Sequence, residues 1–140
     1  MILLDPEFHL HVAGVLLIGL ALFHIALPRH FGWREEMRPV SLLTRQIFYV
    51  HTFFIALTVG LMGLLALFYA DELLQPSALA RGVLSGLLAF WLCRLGFQIF
   101  VYDAALWRGK KFETYMHWLF TALWLYLVVV FGWVLWRQLV

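Results

Sequence analysis

The sequence predicts an all-α integral membrane protein: a four-helix transmembrane bundle in up-down order, with a short interfacial segment between the first two spans. Three observations predict it. Hydrophobic residues make up 64% of the 140 and charged residues only 13%, where an ordinary globular domain carries roughly 45–50% and about 25%. Mean hydropathy is +0.90 and aromatics reach 18%, more apolar surface than a soluble domain this short can bury. Four stretches also meet the roughly 20 apolar residues that a bilayer crossing takes.

The spans are expected at about His9–Pro28, Arg45–Ala70, Arg81–Trp107 and Glu113–Trp136, within a single transmembrane domain covering 1–140. Pro28, Pro39 and Pro76 are expected outside them, where a missing N–H does no harm. The start, Met-Ile-Leu-Leu-Asp-Pro-Glu, lacks the basic lead-in of a signal peptide, so the first span is expected to be retained. Between the first two spans Arg29–Thr44 mixes charges with Phe31, Trp33, Met37 and Leu42, the composition of a short amphipathic piece lying in the interface. The turns at Asp71–Ala80 and Arg108–Phe112 are short, which predicts antiparallel neighbours. Gly82 and Gly86, with Ala78 and Ala89, form a small-residue stripe expected to admit a neighbouring helix closely, and Gly60 and Gly63 suggest the same.

Charge sets the expected orientation. Arg29, Arg34, Arg38, Arg45, Arg108, Lys110 and Lys111, seven of the ten basic residues, flank the first and third connections. The positive-inside rule makes those connections cytoplasmic and puts both termini outside, in a bacterial-type inner membrane. Trp33, Trp107 and Trp118 at one face and Trp133 and Trp136 at the other suit interfacial belts. A net charge of +2 gives no basic surface for nucleic acid, and the lone Cys93 excludes an intrachain disulfide or a CxxC motif.

Ionisable groups inside spans are rare and by default mark function. Here they are His24, His51, Arg94, Asp103 and His117, accompanied by Gln98 and Tyr102. By helical rise His24 lies about 6 Å inside the cytoplasmic boundary, His51 and His117 about 9 Å, and Asp103 about 7.5 Å. Four spans thus bring one ionisable side chain each to a common layer. Imidazole is the commonest metal ligand and the usual axial ligand of haem iron, so His24, His51 and His117 are candidate ligands of haem b or a transition metal. No HxxxH or HxxE spacing supports that locally. Interhelical hydrogen bonding is the structural alternative for each histidine; His9, His11 and His30 are expected at the solvated boundaries.

Arg94 falls near the bilayer middle if the third span runs to Trp107, roughly 20 Å from the cytoplasmic edge. No carboxylate shares that depth. It is therefore expected either to bond backbone carbonyls and Tyr126, or to bind an external anion such as a haem propionate or the head of a lipid-like substrate. Gln98 and Tyr102 share its side of the helix and can line the same cavity.

Leu27-Pro28-Arg29-His30-Phe31, after a histidine-containing span, resembles the LPRxF segment of the small four-helix bacterial protoporphyrinogen oxidases. The resemblance covers the first span and its exit, and implies a membrane protein of similar length that binds haem b. The family's histidine near the span start corresponds to His11, and the rest of the chain does not follow the pattern.

The leading expectation is a haem b- or metal-binding membrane redox protein or small respiratory-type subunit in electron transport. His24, His51 and His117 would hold the cofactor, Asp103 would move protons and Arg94 would hold an anionic group. Two alternatives use the same residues: a non-catalytic accessory or assembly subunit, and an enzyme acting on a lipid-soluble, quinone- or porphyrin-like substrate through Asp103, Arg94, Gln98 and Tyr102. The bilayer is the expected surrounding; a larger membrane complex or a homo-oligomer is the expected protein partner.

Overall fold

A computed structural model describes residues 5–140, all of whose regular structure is helical. The helices are α1 (Pro6–His30), α2 (Trp33–Glu36), α3 (Leu42–Phe68), α4 (Ala70–Leu74), α5 (Ala78–Phe100) and α6 (Lys111–Arg137), with a 3₁₀ turn at Ala104–Leu106. α1, α3, α5 and α6 are each long and apolar enough to cross a membrane. The four-span, all-α expectation therefore holds.

Local chemistry sets the helix starts. The Asp5 carboxylate accepts from the Glu7 backbone N–H at 3.1 Å, and Pro6 occupies the first helical position, where its missing N–H is harmless. Ser41 and Ser77 cap α3 and α5 by accepting from Thr44 N (3.3 Å) and Ala80 N (3.0 Å). Caps of this kind stabilise a helix by about 1 kcal/mol each. α1 runs through Pro28 to His30, so that proline lies inside the helix and not beyond it as expected. The cost is one helical bond, the one a Pro28 N–H would have given to the His24 carbonyl, and the helix runs only two residues further. Between α1 and α3 only four residues are helical, with Gly32 at φ 62° preceding them and Trp33 set edge-on against Phe48 at 4.8 Å.

The chain folds as two compact units, one of residues 5–10 with Asp71–Val140, the other His11–Ala70. In the second unit α1 and α3 are antiparallel: Gly14 meets Gly63 and Leu67, Ile18 meets Gly63, and Ala21 meets Gly60, one number falling as the other rises. A Cβ added to Gly14 would stand 2.8 Å from the Gly63 carbonyl oxygen, and one on Gly63 2.9 Å from that of Gly14. The two backbones touch because neither carries a side chain there. By contrast, a Cβ on Gly82 or Gly86 meets nothing within 4 Å among the described residues. The close approach occurs at Gly63, where the sequence also suggested it, against Gly14, and not at the Gly82–Gly86 stripe.

In the first unit α5 and α6 form an antiparallel pair. Buried Ala80, Leu84, Leu87 and Trp91 on α5 recur at three- and four-residue steps, as do Trp124, Leu127, Phe131 and Val134 on α6, the spacing that keeps one helical face inward. Trp91 stacks on Trp124, ring centroids 5.1 Å apart at 16°. At the far end of the pair the Gln138 side-chain amide donates to the Leu73 carbonyl.

α5 ends at Phe100, seven residues before the expected limit at Trp107. Asp103 is the reason. Its carboxylate accepts from Ala105 N at 2.8 Å and caps the 3₁₀ turn, a local bond that competes with continuation of the helix. The connection then closes through Gly109, at φ 84°, into α6.

Candidate functional site

The shortened α5 changes the depth of Arg94. Six residues separate it from the helix end at Phe100, about 9 Å of rise, and six separate His117 from Lys111 at the start of α6. In an antiparallel pair those two positions stand level. Between them is Gln98, only 5% exposed and the centre of the polar cluster.

Arg94 Nη1 donates to Gln98 Oε1 at 3.2 Å, and Trp124 Nε1 donates to the same oxygen at 3.3 Å. Guanidinium and indole nitrogens are donors only. The amide oxygen must therefore face them, which turns the Gln98 NH₂ toward His117. Gln98 Nε2 then donates to His117 Nδ1 at 3.0 Å. An Nδ1 that accepts carries no proton, so the neutral imidazole bears its hydrogen on Nε2. Three contacts on one glutamine thus fix the tautomer of a histidine on another helix.

Aromatic rings wall this cluster. The Arg94 guanidinium lies over the Trp124 ring at 4.8 Å from its centroid and over Tyr102 at 5.6 Å. Trp107, from the connection, stacks on the His117 imidazole at 4.4 Å and 12°. It is held there by Thr114 Oγ1, which donates to the Trp107 carbonyl at 2.6 Å. Trp107 Nε1 is buried without a hydrogen-bond partner among the described residues, as is Trp91 Nε1 behind Trp124.

Arg94, Gln98, Tyr102 and His117 come together. Asp103 does not join them: it lies three residues past α5, exposed, with its carboxylate spent on the turn. Arg94 bonds neither a backbone carbonyl nor Tyr126. The Tyr126 hydroxyl is 3.0 Å from His9 Nδ1, and His9 also faces Trp133 edge-on, so His9 is half-buried and not simply solvated. Arg94 has no carboxylate partner among the described residues; Arg38 pairs with Glu35 at the exposed surface.

His24 and His51 belong to the other unit. His24 Nδ1 donates to Leu20 O and His51 Nδ1 to Ile47 O, each at 2.8 Å and each one turn back on its own helix. A carbonyl can only accept, so both rings carry the proton on Nδ1 and leave a lone pair on Nε2. His24 lines a cavity of about 190 Å³ between α1 and α3 with Ile25, Pro28, Tyr49, Thr52, Phe53 and Ala56. His51 is exposed and does not line it. Within neither unit do three His, Cys, Asp or Glu side chains among the described residues group as a metal site.

No protein-family model matches the chain, and no curated protein or solved structure matches it significantly.

Sequence reasoning placed Gln98 beside Arg94 but not as the hub, and missed Trp107 as cover and Trp124 as donor to that hub. The spacing of Arg94, Gln98 and Tyr102 was the available signal for a shared face. Trp107 had none, because its position depends on where α5 stops.

Proposed function

We propose that this integral membrane protein binds the polar head of a lipid-soluble molecule at the α5–α6 cluster, with Arg94 as the electrostatic anchor and His117 Nε2–H as hydrogen-bond or proton donor. The carrying observation is the Gln98 amide, whose three partners fix that histidine proton on Nε2 in a cluster whose arginine lacks a carboxylate. Intramembrane arginines need compensation, and aromatic faces supply only part of what an anion or carbonyl would give. The basic connections are assigned to the cytoplasm and both termini to the outside, which sets the cluster in the cytoplasmic half of the membrane.

The test is lipid and small-molecule mass spectrometry of the protein purified in lipid nanodiscs. A specific co-purifying compound is expected with the wild type and depleted with Arg94→Gln. Equal profiles, with equal or higher thermal stability of the variant, would overturn the reading and make the cluster a packing device.

A second reading has its own supporting observation. Metal-ligating histidines normally donate their other ring nitrogen to a carbonyl or carboxylate, and His24 and His51 both do so. Haem b or a metal in a redox protein would accordingly be held through their Nε2 atoms. His117, protonated at Nε2, does not fit as a third ligand while Gln98 donates to it. An absorption spectrum and metal analysis test this; His24→Ala and His51→Ala should lose the cofactor while His117→Ala keeps it.

A further inference from the structure

Resting on the α5–α6 reading above, we infer that the molecule bound there is an anionic amphiphile, a hydrocarbon chain ending in a carboxylate or phosphate, in preference to a neutral quinone or ester. The cluster's unspent hydrogen-bonding capacity points there. Both lone pairs of Gln98 Oε1 are taken by Arg94 and Trp124, and its NH₂ is engaged with His117. His117 Nδ1 is consumed by that bond. The hydroxyls of Thr114 and Thr121 donate to the carbonyls of Trp107 and His117. What remains is the His117 Nε2–H, the free N–H groups of Arg94 and the buried, unpartnered Trp107 Nε1–H. Acceptors remain only on the hydroxyl oxygens of Tyr102, Thr114 and Thr121, none of which carries a charge to answer that of Arg94. A site of donors asks for an acceptor-rich ligand.

Charge then narrows the class. A quinone or ester carbonyl accepts hydrogen bonds but leaves the Arg94 charge uncompensated. A carboxylate or phosphate neutralises it and matches the guanidinium fork, an advantage that grows in a low-dielectric setting. No Glu or Asp among the described residues, Asp103 included, lies within ion-pair distance of Arg94. The hydrocarbon requirement comes from the surroundings. Phe97, Phe100 and Trp118, on helices apolar enough to sit in lipid, and Val101 just past the end of α5 are neighbours of the cluster and all more than half exposed. An inorganic anion would leave that surface unused; a tail would lie along it.

The experiment uses the full chain in phosphatidylcholine nanodiscs and reads quenching of tryptophan fluorescence by a brominated long-chain fatty acid. Quenching should be saturable, with half-saturation at least about tenfold lower than for the methyl ester of the same acid, the difference expected of a hydrogen bond to a charged group. Arg94→Gln should erase the preference and Arg94→Lys should keep most of it, which separates charge from misfolding. Phosphatidic acid displacing the fatty acid identifies a lipid phosphate as the head and supports the inference, as does the fatty acid's resistance to displacement. Inorganic phosphate displacing it as well as either amphiphile would overturn the need for a chain. A ubiquinone analogue or the ester binding as tightly as the acid would overturn the inference while leaving the α5–α6 site standing. No saturable binding of any probe would overturn both.

Discussion

Gln98→Leu is the most informative single change, because one side chain holds three partners in place. Leucine keeps the approximate volume and removes both ends of the amide. Trp124, only 4% exposed, then keeps a buried indole N–H with no acceptor, at a cost of about 1–3 kcal/mol. Arg94 is half-buried and retains its place over the Trp124 ring, so its loss is smaller, about 1 kcal/mol. The sum predicts a destabilisation of roughly 2–4 kcal/mol, visible as a lowered melting temperature in detergent. A more specific consequence concerns the His117 proton. In the wild type, moving it to Nδ1 would set two donors face to face and lose the Gln98 bond, a penalty of about 1–3 kcal/mol, which is a bias of roughly fivefold to more than a hundredfold. In Gln98→Leu that bias disappears. Nitrogen-15 NMR of histidine-labelled protein in lipid reads the tautomer directly, with His117→Phe supplying the assignment. The wild type should show His117 protonated at Nε2, and Gln98→Leu a mixture of tautomers. A wild-type His117 protonated at Nδ1, or a tautomer unmoved by the substitution, would refute the reasoning from the Gln98 contacts.

Gly63→Ala should lower the melting temperature by the equivalent of about 1–3 kcal/mol, since its Cβ would meet the Gly14 carbonyl oxygen at 2.9 Å. Gly86→Ala, opposite open space, should be neutral or slightly stabilising by the same measurement. Asp103→Ala should cost about 1 kcal/mol as a lost cap while Asp103→Asn costs little; an equal, larger loss in ligand content for both would restore a role in the site. A reporter fused after Val140 should behave as exported and one in the Arg108–Phe112 turn as cytoplasmic, and the reverse pattern would sink the orientation.

The spans were legible because composition alone demands lipid, but their starts, expected at His9, Arg45 and Arg81, fall three residues late because the caps at Asp5, Ser41 and Ser77 went unread. The end of α5 was not legible either. Val101 and Tyr102 continue the apolar run, and the next glycine is Gly109, so hydropathy carries the helix past its true limit. The overlooked signal was Asp103 before Ala-Ala, a short acceptor able to bond the backbone two residues on. That one boundary moved Asp103 out of the polar layer, brought Arg94 level with His117 and swung Trp107 over the imidazole. The Gly82–Gly86 stripe misled for a different reason. Small residues permit close approach without requiring it, and only a partner helix decides which stripe is used.

Depth grouped the three histidines, whereas proton position separates them. His24 and His51 each bond a carbonyl one turn back, an arrangement open to a histidine in almost any helix, so it prepares a lone pair on Nε2 without saying what the lone pair is for. His117 is different in kind. Its tautomer is dictated from another helix by Gln98, which is itself oriented by Arg94 and by Trp124. Fixing a proton through a chain of tertiary contacts orders several side chains, and ordering long side chains costs conformational entropy. A histidine serving only to tie two helices together needs no such arrangement, since either tautomer can make one interhelical bond. A site that must present a donor beside a positive charge does need it, and that asymmetry is why the functional weight falls on α5 and α6.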